Sequence, residues 1–514
     1  MLHIGEDMAS EPNQNLTSES KPGPASSVKP NAPTGPASHS PIHFGTSGWR
    51  AVIADEFTFD GVRLASRAIA AHLRKTKSTP EVLVGCDTRF LSPEFARAAA
   101  EVLRAEGCHT HLCDRSTPTP ALAFEIRRTH ADGAINITAS HNPANYNGLK
   151  FSGPDGGPAL PEVTKDIEEF VAKFYAESAQ ISGGDSVAGA STDVTLNSTF
   201  DPREPYFAQI EKLVRFDVIQ KGGGHFVYDA LHGCGAGYLD ELLTRHGISV
   251  STIRANRDVL FDGTGPDPSE DNVAELRKEV AARGSMAGLA TDGDADRFGI
   301  IDRNGAFISP NHILGLVFDY LLQTRSDSKL GVARSVATTH LLDAVARKSR
   351  RPVFETPVGF KYIGALVNEG KILLGGEESA GMSIENHLPE KDGILACLLV
   401  AEMIAARRTS LAEQLRDLFK RVGAEYWPVR VNISLPENAV EKLQQRLRAD
   451  FGDFAGHRVV REDRTDGLQL LFDDDSWILM RPSGTEPVVR VYAEAHTTAE
   501  SQKLAEEARK WVLQ

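Results

Sequence analysis

The chain predicts an α/β protein: three similar α/β domains with mixed sheets, followed by a smaller α+β domain at the C-terminal end. Three observations carry this. Apolar runs of strand length alternate with helical periodicity from Ile42 to about residue 420, the pattern of βαβ units. The character then changes: Val429, Val431, Ile433 and Leu435 alternate with polar residues, as on a strand with one buried face. Finally, 514 residues exceed what a single core organises, so length alone implies about three to four domains.

Composition narrows the function classes. A chain that is 41% hydrophobic and 25% charged is ordinary for a soluble globular protein. No apolar run approaches the ~20 residues needed to span a bilayer. The net charge of −14 speaks against a general binder of nucleic acid or anionic membrane, so an anionic ligand needs locally clustered Arg and Lys. Cys86, Cys108, Cys113, Cys234 and Cys397 form no CxxC pair and lie in or beside apolar stretches. That predicts buried free thiols in a reducing compartment. The start carries no basic-then-apolar secretory pattern, and the expected location is cytoplasmic.

Residues 1–40 are rich in Ser, Pro, Ala, Asn and Gly and read as a disordered tail. The first α/β domain is expected over 41–198. It opens with Ile42–Phe44 and the loop Gly45-Thr46-Ser47-Gly48-Trp49-Arg50, suited to close around an anion with backbone amides and a guanidinium. Val62, Ala65, Ile69 and Leu73 mark a helix, Glu81–Gly85 a strand, and Ser92 caps the next helix, with Pro93 at its first position and Gly107 beyond its last turn. His109–Cys113 is a strand. The buried strand Ala134–Ile137 then delivers Thr138-Ala139-Ser140-His141-Asn142-Pro143. A hydroxyl between small residues at the carboxyl end of such a strand is placed to act as a nucleophile. Asn145–Lys150 reads as a polar loop, Val163, Ile167, Phe170 and Phe174 as a helix, and Ala179–Ser198 as a linker.

The second α/β domain is expected over 199–305. Strand His225–Ala230 leads into Gly233-Cys234-Gly235-Ala236-Gly237, whose GxGxG spacing is a tight turn, not a dinucleotide fingerprint. Ala287–Ala290 enters Thr291-Asp292-Gly293-Asp294-Ala295-Asp296-Arg297. Carboxylates at alternate positions of one short loop repel unless a cation lies among them, and an all-oxygen set favours Mg2+, Mn2+ or Ca2+ over zinc. An EF-hand is excluded, because Arg297 and Arg303 stand where that loop requires Gly and Glu.

The third α/β domain, 306–422, carries Thr356-Pro357-Val358-Gly359-Phe360-Lys361 after strand Val353–Glu355. It also carries Gly375-Gly376-Glu377-Glu378-Ser379-Ala380-Gly381 after an apolar run. Glu377 and Ser379 suit hydrogen bonds to neighbouring sugar hydroxyls. Glu390-Lys391-Asp392-Gly393 opens an apolar helix, Ile394–Ile404. The α+β domain, 423–514, adds a helix at Ala439–Phe451, strands Leu468–Phe472 and Trp477–Met480, and a C-terminal helix. Its turn Arg481-Pro482-Ser483-Gly484-Thr485-Glu486-Pro487, with Arg490 close by, forms a phosphate cradle.

Five ordered motifs give a resemblance: GTSGWR (45–50), TASHNP (138–143), DGDADR (292–297), GEES (376–379) and RPSGTEP (481–487). From residue 42 to the end, the chain resembles the α-D-phosphohexomutase family, the phosphoglucomutase/phosphomannomutase enzymes. The resemblance implies an active site in the cleft between all four domains and an intramolecular phosphotransferase that interconverts hexose 1- and 6-phosphates. It implies that Ser140 carries a phosphoryl group and that one Mg2+ per chain lies between it and Asp292, Asp294 and Asp296. Glucose 1,6-bisphosphate is the implied intermediate and activator. Arg50, His141, Lys150 and Arg297 would line the phosphoserine. Thr356, Gly359, Lys361, Glu377 and Ser379 would bind the sugar, and Arg481, Ser483, Gly484, Thr485 and Arg490 the distal phosphate. Expected partners are small hexose phosphates, with neither nucleic acid nor membrane, in a monomer or small homo-oligomer.

The match departs from the family in one place. Relatives with a GEMSGH sugar loop end it in His; here it reads GEESAG, so Lys391 or Lys150 is the candidate acid/base, and either needs a lowered pKa to act as a base near neutrality. GEESAG, TPVGFK and EKDG together look most like the glucose-preferring branch. Dual glucose/mannose use and glucosamine phosphate follow as alternatives, then a sugar phosphatase or a non-catalytic sensor.

Overall fold

The computed structural model describes residues 42–45, 47–181, 198–325, 329–483 and 488–514. The expected tail, most of the expected linker, and Thr46, Gly484 and Thr485 lie outside them. The first sheet comprises β1 (Trp49–Val52), β2 (Glu81–Cys86), β3 (His109–Cys113), β4 (Gly133–Ile137), β5 (Tyr146–Ser152) and β6 (Ser198–Phe200), in the order β1-β5-β4-β2-β3-β6. The second holds β7 (His225–Asp229), β8 (Ser249–Ile253), β9 (Ala287–Thr291), β10 (Phe298–Asp302) and β11 (Phe307–Ile308), ordered β11-β10-β9-β7-β8. The third holds β12 (Gly331–Ser335), β13 (Val353–Thr356), β14 (Ile372–Glu377) and β15 (Gly381–Ile384), ordered β13-β12-β14-β15. Each mixes parallel pairs, such as β2 with β4, β7 with β9 and β12 with β14, with antiparallel pairs, such as β4 with β5, β9 with β10 and β14 with β15.

The last sheet is antiparallel throughout. It comprises β16 (Trp427–Ser434), β17 (Asp453–Phe454), β18 (His457–Asp463), β19 (Leu468–Phe472), β20 (Trp477–Pro482) and β21 (Val488–Ala495), ordered β16-β21-β20-β19-β18-β17. Helix Thr498–Leu513 packs on it.

Four local expectations change. Asn145–Lys150 is not a loop, since Tyr146–Ser152 is an inner strand between β1 and β4. Its polar residues are buried and bonded: Asn147 Nδ2 donates to Ser92 Oγ at 2.9 Å, and Lys150 reaches two aspartates. Ser92 is not the cap of helix Ser92–Ala105; Leu91 holds that position at φ +60°, and the Ser92 hydroxyl donates to Asp87 Oδ1 at 2.7 Å. The expected linker is shorter at both ends, because helix Pro161–Ile181 and β6 enter it. β6 crosses the 198/199 boundary and pairs with β3. In the last domain the helix closes at Arg446, short of Phe451, whose amide turns to Glu462 Oε1 at 2.6 Å.

Helix Gly393–Arg407 is apolar apart from Glu402, which pairs with Arg215, and its last residue, Arg407; it is buried from Gly393 to Ala405, as such a helix must be. It packs on β9, β10, β15 and helix Phe216–Gly222, so one continuous core serves the second and third sheets. A smaller cluster (Val336, Ala337, Trp477, Leu479, Tyr492) joins the third sheet to the last. All five cysteines are buried and unpaired, and no described helix is long and apolar enough to cross a membrane.

Candidate active site

Ser140 follows the carboxyl end of β4 at φ +52°, a conformation that costs a non-glycine residue energy and must be held in place. The holding group is Arg89, fully buried at the carboxyl end of β2. Its guanidinium donates to the carbonyls of Ser140 (2.6 Å), Asn142 (2.5 Å), Pro143 (2.7 Å) and Tyr146 (3.1 Å), and Nε to Asp87 Oδ2 (3.1 Å). Phe261 lies under it, 5.1 Å away. Asp87 also accepts from the Thr138 hydroxyl, which accepts from the Ser140 amide. The loop is thus wrapped around one cation.

The Ser140 hydroxyl donates to Asp292 Oδ2 at 2.6 Å, across 152 positions of sequence. Asp292, Asp294 and Asp296 sit between β9 and β10, all buried, with one carboxylate oxygen from each within 4.8 Å of the others. Their outward oxygens are engaged. Asp294 Oδ2 accepts from Thr119 Oγ1 (2.5 Å) and Lys150 Nζ (2.5 Å), and Asp296 Oδ2 from Lys150 (2.8 Å) and Lys391 (3.1 Å). Asp294 Oδ1 and Asp296 Oδ1 are buried without a hydrogen-bond partner. Two orphaned carboxylate oxygens in an all-oxygen set are the donors a hard divalent cation takes, and the residues fit Mg2+. The Gly233–Gly237 turn forms the floor: a Cβ on Gly233 would lie 2.7 Å from the Asp292 carbonyl, and the Cys234 amide donates to Gly293 O.

The electrostatics divide the aspartates. Burial, then Asp296 and Asp294, push the Asp292 carboxyl well above its usual range. Burial raises Asp296 too, but Lys150, Lys391 and Arg297 outweigh it and hold that carboxyl low. Burial would lower both lysines, yet Asp294 with Asp296 raises Lys150, and Asp296 with Glu390 raises Lys391. The lowered lysine expected of a base is therefore not what this arrangement produces. Both ammoniums are held protonated. His141, with Nδ1 3.5 Å from Ser140 Oγ, is kept neutral by burial and by Arg297 and Arg50. Arg50 NH1 donates to Asn142 Oδ1 at 3.0 Å, while Arg50 Nε and Arg297 Nε are buried without hydrogen-bond partners. Ser140 thus lies in a cationic surround.

Lys391 is positioned by the start of the buried helix, where Asp392 accepts the Leu395 amide at 2.8 Å. Beyond it, Glu377 ends β14, buried, and its Oε1 accepts the Gly359 amide at 2.7 Å. Burial and Glu378 raise Glu377 to about 7. Gly359 stands at φ +132° before helix Phe360–Asn368. Thr356 closes β13 with its hydroxyl on Pro357 O (3.0 Å), Ser379 is half-buried in the turn after β14, and burial lowers Lys361. An open cavity of about 470 Å3 borders Thr356 and Lys361. In the last domain Arg481 on β20 stands opposite Arg490 on β21, and the Ser483 amide donates to Val488 O at 2.7 Å.

The structure therefore joins Arg50, Ser140, His141, Lys150, Asp292, Asp294, Asp296, Arg297 and Lys391 into one cluster, with the sugar-loop and arginine groups in separate loops. Sequence reasoning missed Asp87, Arg89, Thr119 and Glu390. A signal existed for the first two, a charged pair directly after the apolar strand β2.

Comparison with known proteins agrees with this layout. The chain matches the family models described as phosphoglucomutase/phosphomannomutase alpha/beta/alpha domain I (residues 41–177), domain II (204–305), domain III (309–422) and C-terminal domain (431–510). It is 30% identical over 475 residues to the phosphoglucomutase/phosphomannomutase of Thermococcus kodakarensis, covering 91% of this chain and 99% of that one. Identity is 31% over 465 residues to a protein of Methanosphaera stadtmanae named probable phosphoglucosamine mutase, covering 89% and 95%. Among solved structures, the open form of parafusin (phosphoglucomutase) from Paramecium superposes with TM-score 0.77 at 26% identity, covering 91% and 94%.

Proposed function

Since the chain belongs to the phosphoglucomutase/phosphomannomutase family and is a phosphohexomutase, we propose that it interconverts α-D-glucose 1-phosphate and glucose 6-phosphate through a phosphoserine at Ser140. The observation that carries this reading is the buried Ser140 hydroxyl bonded to Asp292 within the three-aspartate loop. Asp292, Asp294, Asp296 and the phosphorylated Ser140 would hold Mg2+, which when bound supplies positive charge against the phosphoryl oxygens. Arg50 and Arg297, whose Nε–H groups make no hydrogen bond, offer them to the same oxygens, and neutral His141 adds a hydrogen bond without competing charge.

In the forward step the phosphorus bond to Ser140 Oγ breaks as one forms to the free hydroxyl of a hexose 1-phosphate. Protonated Lys391 or Lys150 gives its proton to the departing Oγ, and the proton of the attacking hydroxyl replaces it. The 1,6-bisphosphate turns over, held by Glu377 and Ser379 on its hydroxyls and by the Arg481/Arg490 loop on its outer phosphate. Its other phosphoryl group then returns to Ser140. GEESAG, TPVGFK and EKDG support glucose as the hexose; the names of the Thermococcus and Methanosphaera relatives favour mannose or glucosamine phosphate as the second reading. Glucose and mannose differ only at C2, a difference a site can treat lightly.

The test is kcat/KM for glucose 1-phosphate, mannose 1-phosphate and glucosamine 1-phosphate, with Mg2+ and a trace of glucose 1,6-bisphosphate. Glucose is expected to lead by about tenfold or more. Equal glucose and mannose values would mean dual specificity, and a glucosamine lead would replace the reading. Release of free phosphate without isomerisation would indicate a phosphatase.

A further inference from the structure

One carboxylate connects the last domain's arginine pair to the sugar loop. Asp466 lies in the turn between β18 and β19. Its Oδ1 accepts from Arg481 Nε at 2.8 Å, and its Oδ2 accepts the backbone N–H of Val358 at 3.0 Å. The next amide, that of Gly359, donates to Glu377 Oε1 at 2.7 Å. Hydrogen bonds and two residues of backbone thus join Arg481 to the carboxylate assigned to the sugar hydroxyls.

The turn is shaped for that contact. Gly467 stands at φ +100°, and a Cβ there would lie 2.5 Å from Met480 O and 3.0 Å from the Arg481 Cα, so only glycine lets the turn approach β20 this closely. A second tie flanks the first: Arg461 on β18 donates to Glu355 Oε1 at 2.8 Å, and Glu355 Oε2 is 2.8 Å from Arg334. The segment 355–358 is therefore gripped at both ends. Asp466 and Arg481 are 22% and 13% exposed, a sheltered pair whose geometry is fixed.

We propose that Asp466 is a positioning residue that couples phosphate engagement by Arg481 to the placement of the Val358–Gly359 amides, and through them of Glu377. The proposal rests on the reading of Arg481 as a phosphate ligand. Turning over the bisphosphate requires the sugar loop to hold either orientation only while the outer phosphate is seated, and Asp466 is the group that touches both loops.

The experiment is a double-mutant cycle on the full chain with glucose 1-phosphate: Asp466→Ala, Arg481→Ala and the pair, reading KM and kcat separately, with thermal midpoints as control. Asp466→Ala is expected to raise KM by about tenfold with kcat changed less than about threefold, and to add nothing further on top of Arg481→Ala. Asp466→Asn, which keeps one acceptor oxygen, is expected to fall between and covers the case in which the alanine variant does not fold. Multiplicative losses in the cycle, or unchanged KM in both Asp466 variants, overturn the coupling alone. Unchanged KM in Arg481→Ala overturns the phosphate-ligand reading and the coupling with it.

Discussion

Replacing Arg89 with Met should release the nucleophile loop while filling most of the same volume. The side chain removed is fully buried and donates to the carbonyls of Ser140, Asn142, Pro143 and Tyr146 as well as pairing with buried Asp87. Removing one partner of a buried ion pair costs about 3–5 kcal/mol, and the orphaned carbonyls make the upper part of that range the better expectation. The cost is paid locally, since Asp87 also anchors Thr138 and Ser92. Hydrogen exchange reads it directly: the Asn142 and Tyr146 amides, bonded to Ala139 O and Pro143 O, should lose protection by about three to four orders of magnitude. Turnover should fall in parallel, because Ser140 is no longer held at φ +52° beside Asp292. Wild-type protection of those two amides together with wild-type kcat would refute the reasoning.

Three further expectations follow from the same geometry. A chelator should stop the reaction and Mg2+ restore it, with the cation also raising the thermal midpoint by relieving repulsion among the three aspartates; an unchanged midpoint and rate would remove the metal from the loop. Gly233→Ala should weaken Mg2+ affinity, measured by titration calorimetry, by about tenfold, because its Cβ would press on the Asp292 carbonyl; unaltered affinity would show that the turn does not shape the loop. Glu377 carries a pH signature. Its folded pKa is raised to about 7 from an ordinary 4.5, so its contribution to stability is complete below about 4.5 and is lost as pH climbs through about 7. Glu377→Gln should flatten that fall in urea midpoints between pH 5 and 8, and a variant curve parallel to wild type would contradict the shift.

How much of this could be read from the chain depended on whether the partners were close in sequence. The three aspartates stand at alternate positions of one loop, and their mutual repulsion is a property of that spacing, so a candidate cation site was legible in the sequence. Ser140 stood out as a candidate because a hydroxyl after an apolar strand is a local pattern. The role of Arg89 was not: apart from its neighbour Asp87, its acceptors are backbone carbonyls 51 to 57 residues away, and a backbone carbonyl leaves no mark in a sequence. The strand Tyr146–Ser152 was hidden for a related reason. Its Asn147 and Lys150 look solvated, and only the fold supplies Ser92, Asp294 and Asp296 to satisfy them in the interior. The same aspartates raise Lys150 and Lys391, where a base near neutrality would need a lowered pKa. In each case composition stated the cost of burying a polar group, and the fold supplied the partner that offsets it.

The central claim is that Ser140 carries the phosphoryl group. Incubating the protein with glucose 1,6-bisphosphate and Mg2+ and then mapping phosphate by peptide mass spectrometry tests it most directly. One phosphoryl group on Ser140, absent from Ser140→Ala together with turnover while the fold persists, is the predicted result. Phosphate on another residue, or full activity in Ser140→Ala, would contradict the account.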